Sequence, residues 1–325
     1  MPVGELRLAD AFDGIELPLP DPRHGKVRHS WRLPRDMNGV ERRLFVTTDR
    51  LSAFDRVLAA VPRKGQVLNQ LSAWWFERTA DVVPNHLLSV PDPNALVARA
   101  AQPLAVEVIV RGHITGVTST SLWRQYEEGA RTIYGFTFPD GMRKNEALPT
   151  AIVTPTTKAP DGGHDEPLTV AEVAQRGIVP ARLWGEAVEA ALALFARGRE
   201  LGEHAGLILA DTKYEFGTDA DGRLLLIDEV HTPDSSRWWV ADTFEERLAA
   251  GEEPESLDKE VVRRALADTG YRGDGPPPTL PDDVWLATSH RYVDAFERLT
   301  GTTFVPGRTP VAARLTEALH QEGLL

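Results

Sequence analysis

Leu207-Ile-Leu-Ala-Asp211-Thr-Lys213-Tyr-Glu215-Phe-Gly217, a turn, and then Leu224-Leu-Leu-Ile-Asp228-Glu229-Val-His-Thr-Pro-Asp234-Ser-Ser236-Arg237 decide how the rest of the chain is read. Five acids and two bases are set into two apolar strands, more charge than a packed strand carries for its own sake. A lone buried carboxylate is costly, so acids on apolar strands need a cation to hold. Magnesium fits that need, being a hard ion satisfied by carboxylate oxygen and shared with phosphate. Alternation places Asp211, Lys213 and Glu215 on one face of the first strand. The turn Thr218-Asp-Ala-Asp-Gly222 reverses the chain. The second strand then returns Asp228 beside Lys213 or its neighbour. Register is open at this stage, since a slip of one residue turns Asp228 to the opposite face. If Glu215 and Asp228 share a metal, the pairing must put both on one side. A surface hairpin with solvated charges is the competing reading, and the runs at 207–210 and 224–227 oppose it.

The chain has 325 residues, more than one comfortable core, so two lobes or a lobe with an appendage are expected. Hydrophobic content of 42% and charged content of 26% are ordinary globular values. A net charge of −12 argues against general nucleic-acid binding but leaves room for a local basic pocket. There is no cysteine, which excludes disulfides and thiol catalysis and argues against a structural zinc site. No membrane-spanning run and no signal-peptide pattern are seen, so cytoplasm is the expected setting.

Residues 1–24 read as loop, followed by strands over 26–33 and 43–48, a helix over 67–79 and a β-branched strand over 106–111. Residues 1–105 form a β-rich lobe on this reading. A central α+β lobe runs over 106–245, with a helix at 186–204 before the hairpin. Residues 246–325 form a helical region packing on the central lobe, with helices over 244–250, 256–269, 283–300 and 311–322 and a stiff Pro-rich connector at 273–278.

Other dense segments read as ligand loops, each with a plainer alternative. Gly25-Lys26-Val-Arg28 can fold over polyphosphate, with Lys26 as a point charge and Arg28 as a fork, or can be a surface turn. Thr154-Pro-Thr-Thr-Lys158 with His164-Asp165 suits a phosphate or carboxylate, or is a surface loop. Glu107, Ile109 and Arg111 alternate with valines, and Arg111 leads into Gly112-His-Ile-Thr-Gly116 and the hydroxyl run at 118–121. That is either an anion site or a strand-end ion pair. Asp49–Asp55 reads as a helix cap with its ion pair, Lys64-Gly65 as a turn, and His24 and His86 as structural or surface residues.

Together these segments resemble the SAICAR synthetase (phosphoribosylaminoimidazole-succinocarboxamide synthase) family. The matching stretches are GKVR at 25–28, TDRLSAFD at 48–55, KGQVLNQLSAWWF at 64–76, VEVIVRG at 106–112 and TGVTSTSLW at 115–123. They continue with LPTAIVTPTTKA at 148–159, HDE at 164–166, LILADTKYEFG at 207–217 and DEVHTPDSSRWW at 228–239. The resemblance implies an α+β, two-lobed fold related to ATP-grasp and protein-kinase nucleotide sites. It implies a ligase joining carboxyaminoimidazole ribonucleotide (CAIR) to L-aspartate, with ATP and Mg2+ as cofactors and an acyl phosphate between the two half-reactions. The partners implied are small molecules, with no nucleic acid and no membrane, and the chain is expected to be a monomer or small homo-oligomer. Gly25, Lys26 and Arg28 would then lie over the ATP phosphates and Glu107 near the adenine. Glu215 and Asp228 would hold magnesium, with Lys213 bridging to the reacting group. Arg111, Ser119 and Arg237 would hold the ribonucleotide, and Lys158, Asp165, Asp211, Asp234 and Ser236 would complete the nucleotide and substrate sites.

Three residues depart from the family pattern. GKVRD followed one residue later by Tyr becomes Gly25-Lys-Val-Arg-His29-Ser-Trp31, and RGY becomes Arg111-Gly112-His113. These changes leave two alternatives to the housekeeping synthetase. One is a paralogous ligase acting on another azole carboxylate or amino acid. The other is a non-catalytic nucleotide-binding protein, which the presence of Glu215 and Asp228 opposes.

Overall fold

The computed structural model describes residues 6–54, 56–158, 165–271 and 275–325. His164 and Asp55 of the quoted motifs, and part of the Pro-rich connector, therefore lie outside the described residues. The first sheet has the order β1 (Arg23–His24), β2 (Arg28–Leu33), β3 (Arg42–Thr47), β7 (Ala95–Arg99), β6 (Leu87–Asp92) and is antiparallel throughout. A separate ribbon, β4 (Arg50–Ala53) with β5 (Arg56–Ala60), leads into α1 (Lys64–Arg78).

The second sheet is built on β9 (Val106–His113) and the long β14 (Leu207–Thr218). Around them pair β8 (Gln102–Pro103), β12 (Ala147–Val153), β13 (Thr156–Thr157), β15 (Leu224–Ile227) and β16 (Ser236–Val240). Between β9 and β12 lie α2 (Leu122–Glu127) and the small hairpin of β10 (Thr132–Ile133) and β11 (Phe136–Thr137). The helices that follow are α3 (Val170–Gln175), α4 (Ala181–His204), α5 (Ala241–Ala250), α6 (Glu260–Asp268), α7 (Asp282–Thr300) and α8 (Val311–Gln321). The fold is α+β, as expected. Among the described residues no helix is long and apolar enough to cross a membrane.

Period-two patterning explains how the second sheet separates core from site. Val106, Val108 and Val110 of β9 and Tyr214 and Phe216 of β14 are fully buried in the main core. Leu71, Trp75 and Phe76 of α1, Leu194 and Phe195 of α4, and Tyr292 of α7 fill the same core. The opposite faces carry Glu107 and Arg111 on one strand and Asp211, Lys213 and Glu215 on the other.

The structure departs from the sequence expectation at Asp49 and at the C-terminal helices. Asp49 does cap a helix, but not a local one: its carboxylate accepts hydrogen bonds from Gly65 N at 2.7 Å, at the start of α1, and from Phe12 N at 2.8 Å. Burial pushes its carboxyl up to about 6 against those hydrogen bonds. The C-terminal helices, expected on the central lobe, divide. α7 packs on α1 within the main core, whereas Leu315 and Leu319 of α8 insert among Trp31, Leu44, Val46 and Val97 of the first sheet. The amphipathic pattern of α8 marks a buried face without naming the sheet that receives it. Leu315→Ala should therefore destabilise the protein by about 2–5 kcal/mol, read as a lower urea midpoint at unchanged slope. A change within about 0.5 kcal/mol would show that α8 is not part of that core.

Candidate active site

The register of β14 builds the charged face. Asp211 pairs with Arg111 and Lys213 with Ile109 across the β9 ladder, so Arg111 stands beside Asp211 and Glu107 is one step beyond Lys213. Lys213 Nζ lies 2.8 Å from Glu107 Oε1 and 2.7 Å from Glu215 Oε1, and Lys158 reaches the other Glu215 oxygen. Burial alone would raise the Glu215 carboxyl; Lys213 and Lys158 outweigh it and hold the group well below the usual carboxylate range. Burial keeps Glu107 raised despite Lys213. Lys213, whose burial would lower it, is pushed up by Glu215 and Glu107 and is a fixed cation.

β15 closes the hairpin with Glu215 opposite Ile227, so Asp228 falls one residue beyond the ladder. Continued alternation would have sent it to the side of the buried Tyr214. Instead Asp228 takes a left-handed conformation, φ 68°, which takes it out of strand geometry. Its carboxylate pairs with Arg28, and its charge acts on Lys213. Arg28 Nη2 also lies 3.2 Å from Glu229 Oε1. The Gly25-Lys-Val-Arg28 turn is closed by Gly25 N donating to Arg28 O at 2.8 Å, leaving Lys26 exposed at the tip.

A second cluster surrounds Asp211. Arg111 Nη1 lies 3.4 Å from Asp211 Oδ2, and Arg237, opposite Asp211 in the β16 ladder, pairs with the same oxygen. Arg111 also donates to Thr154 Oγ1 at 2.8 Å and to Thr120 O at 3.2 Å. Arg237 Nη2 is 3.5 Å from Glu260, which in turn pairs with Arg263. Gly116 (φ 96°) lies against this cluster: a Cβ there would be 2.5 Å from Ser121 Cβ and 3.2 Å from Arg237 Nη2. Ser119 is exposed on the same loop, and Ser236 shares a 2.7 Å hydroxyl contact with Thr212. Asp165 is exposed, and its charge is felt by Glu107.

Asp234 does not stand free for a substrate. Lys64 Nζ is 2.8 Å from its Oδ2, and Tyr292 OH donates to its Oδ1 at 2.6 Å. Burial would raise this carboxyl, and Lys64 foremost holds it low. Lys64, read from sequence as part of a turn, is the first residue of α1 and is fully buried. A Lys-Gly pair before an apolar helix carries no signal of burial. Next to this pair, Lys259 went unassigned from sequence. It is half-buried, no hydrogen bond or salt bridge from the described residues holds its ammonium, and burial lowers it to about 8 although Asp234 and Glu229 pull upward.

His113 does not face the anion cluster directly. Its ring packs against Trp239 at 5.0 Å and Phe244 at 5.8 Å, and burial lowers it to about 4. His29 contacts Arg50 rather than the carboxylates of the cleft.

A family model described as SAICAR synthetase matches residues 22–278. A protein of Agrobacterium fabrum with the provisional name phosphoribosylaminoimidazole-succinocarboxamide synthase 2 is 48% identical over 297 residues, covering 90% of this chain and 92% of that one. The phosphoribosylaminoimidazole-succinocarboxamide synthase of Legionella pneumophila (strain Lens) is 47% identical over 296 residues, covering 90% and 92%. Among solved structures, the SAICAR synthase of Saccharomyces cerevisiae complexed with SAICAR superimposes with a TM-score of 0.76 at 30% identity, over 91% of this chain and 100% of that one.

Removing one member of a buried ion pair leaves the other uncompensated. Lys64→Met should therefore cost about 3–5 kcal/mol in denaturant unfolding, with much of the loss recovered in Lys64→Met/Asp234→Asn. Equal loss in single and double variants would deny the pairing.

Proposed function

The chain belongs to the SAICAR synthetase family, and from that membership and the charges in its cleft we propose that it joins CAIR to L-aspartate at the expense of ATP. The observation that carries this reading is the set Arg28, Arg111, Lys158, Lys213 and Arg237, five cations paired with carboxylates on or beside one sheet face in a chain of net charge −12. All three substrates are anionic, and bringing them together is the main electrostatic task.

A carboxylate resists attack by an amine because it is anionic and would have to expel oxide. In the first half-reaction a CAIR carboxylate oxygen bonds to the γ-phosphorus as the bond to the ADP oxygen breaks. In the second the L-aspartate nitrogen bonds to the acyl carbon, phosphate leaves, and the nitrogen gives up a proton. Arg28, in the glycine turn, and Lys158 and Lys213, at the sheet face, would hold the phosphoryl oxygens and spread their charge. Arg111 and Arg237 orient the ribonucleotide, with Ser119 on the adjoining loop. Lys259, whose ammonium feels the charges of Asp234 and Glu229, holds a substrate anion.

Glu215 and Asp228, with Glu229 beside them, offer only hard oxygen donors, which fits magnesium, and each is now neutralised by a lysine or arginine. Mg2+ bound there supplies positive charge to the transferring phosphate. Asp234, with both oxygens taken by Lys64 and Tyr292, acts by positioning α1 and α7.

Purified protein given Mg-ATP, CAIR and L-aspartate should release ADP only when all three are present, with the succinocarboxamide identified by mass. ADP without amide would overturn the choice of acceptor or amine. Asp228→Asn should keep the fold while kcat falls by about a hundredfold or more, and near-normal turnover would remove Asp228 from the metal site.

The proton on Lys259 sets a further expectation. Its ammonium is charged below about pH 8 and neutral above, so kcat/KM for its anionic substrate should decline as pH rises through that value. Lys259→Arg should move this decline to higher pH, and an unmoved profile would assign the titration to another group.

A further inference from the structure

We propose that Glu16, His24 and His29 form a transition-metal site beside the glycine turn, selective for an imidazole-preferring dication such as Zn2+, and that filling it unfastens the turn. His24 and His29 are directly opposite in the β1–β2 ladder, and their rings stack at 4.4 Å and 13°. Glu16 Oε1 lies 3.6 Å from His24 Nδ1, and one donor atom from each of the three residues falls within 4.8 Å of the others. Gly14 (φ 148°) lets the incoming segment cross closely over the buried imidazole, where a Cβ would stand 2.8 Å from His29 Cε1. That crossing delivers Glu16 to the two histidines.

Zinc bonds to nitrogen of about 2.0–2.1 Å set tetrahedral donors about 3.4 Å apart, so the cluster has to close by about an ångström. His24 and Glu16, with side chains 43% and 76% exposed, can make that change by rotation while His29 stays fixed. Burial lowers His29 below its ordinary value, which keeps the ring neutral and able to ligate. Two imidazoles and one carboxylate suit zinc, nickel or copper and are a poor match for magnesium.

Coupling to the turn follows from how His29 is held. Arg50 Nη2 lies 2.7 Å from His29 Nε2 and also donates to Gly25 O at 2.9 Å, while His29 Nδ1 is 3.3 Å from Ile15 O. An arginine only donates, so Nε2 carries the lone pair and Nδ1 the proton. A metal on Nε2 takes Arg50's place directly. A metal on Nδ1 forces the proton to Nε2, where it meets an arginine N–H. In both cases Arg50 leaves, repelled by the dication as well, and the Gly25 carbonyl loses a donor.

The test is direct Zn2+ binding to the full-length protein by calorimetry, with Mg2+ in excess to occupy the carboxylates of the cleft. One equivalent should bind, and His24→Ala or Glu16→Gln should weaken it by about tenfold or more. No binding, or equal affinity in all three proteins, overturns the site. The coupling rests on the nucleotide role proposed for the turn and is read separately, as ADP affinity with and without Zn2+. Zn2+ should weaken ADP binding in the unmodified protein and not in His24→Ala, and ADP affinity unmoved by bound Zn2+ overturns the coupling alone.

Discussion

A buried carboxylate on an apolar strand has to be neutralised, and a set of long-range ion pairs around the cleft meets that requirement. Asp211 is held by Arg111 from β9 and Arg237 from β16, Glu215 by Lys213 and by Lys158 from beyond β13, and Asp228 by Arg28 from the first sheet. Asp234 is held by Lys64 of α1 and Tyr292 of α7. The partners come from distant parts of the chain, so the ion pairs also fix how the two sheets and the C-terminal helices meet. Apolar side chains would fill the same space at no loss and often at a gain in stability.

The same pairing makes the cleft ready for anions without leaving cations idle. Lys158 and Lys213 share Glu215, and Arg28 is divided between Asp228 and Glu229. On the proposed reading, a divalent ion held by those carboxylates would free the lysines and the arginine for phosphate oxygens. Such an exchange would conserve the charge balance of a low-dielectric site, which is the condition for stabilising developing charge without reorganising the surroundings. Lys259 differs in having no ion-paired carboxylate among the described residues, and burial lowers its pKa although Asp234 and Glu229 pull upward.

How far the sequence could be read followed the range of the interaction. The faces of β9 and β14 were legible because alternation is local: Glu107 and Arg111, and Asp211, Lys213 and Glu215, lie where period two puts them. The setting of Asp228 was not, because it depends on register and on a left-handed residue after the last ladder pair. Lys64 was missed for a related reason, since its partner lies 170 residues away and nothing near it in sequence demands burial. The sequence marks Asp49 as a cap, yet the helix it caps begins beyond an intervening ribbon. Helix α8 showed an apolar face, but which sheet receives it is a question of tertiary packing.

The histidine at position 29 shows how one local change is absorbed by its surroundings. An aspartate there would give Arg50 a charged acceptor, and a neutral imidazole gives it a single lone pair. The weaker hold is supplemented from two sides: Arg50 also donates to Gly25 O, and Thr48 ties down Val27 O through both its backbone N–H and its hydroxyl, at 2.9 and 2.6 Å. The glycine turn is thus fastened by several modest hydrogen bonds in place of one strong pair, none of which draws on the carboxylates of the cleft. Because Arg28 points from the far end of that turn to Asp228 and Glu229, the two ends are held by independent contacts. A change at His29 can therefore alter how the turn is fastened at Gly25 while Arg28 keeps its pairing with Asp228 and Glu229.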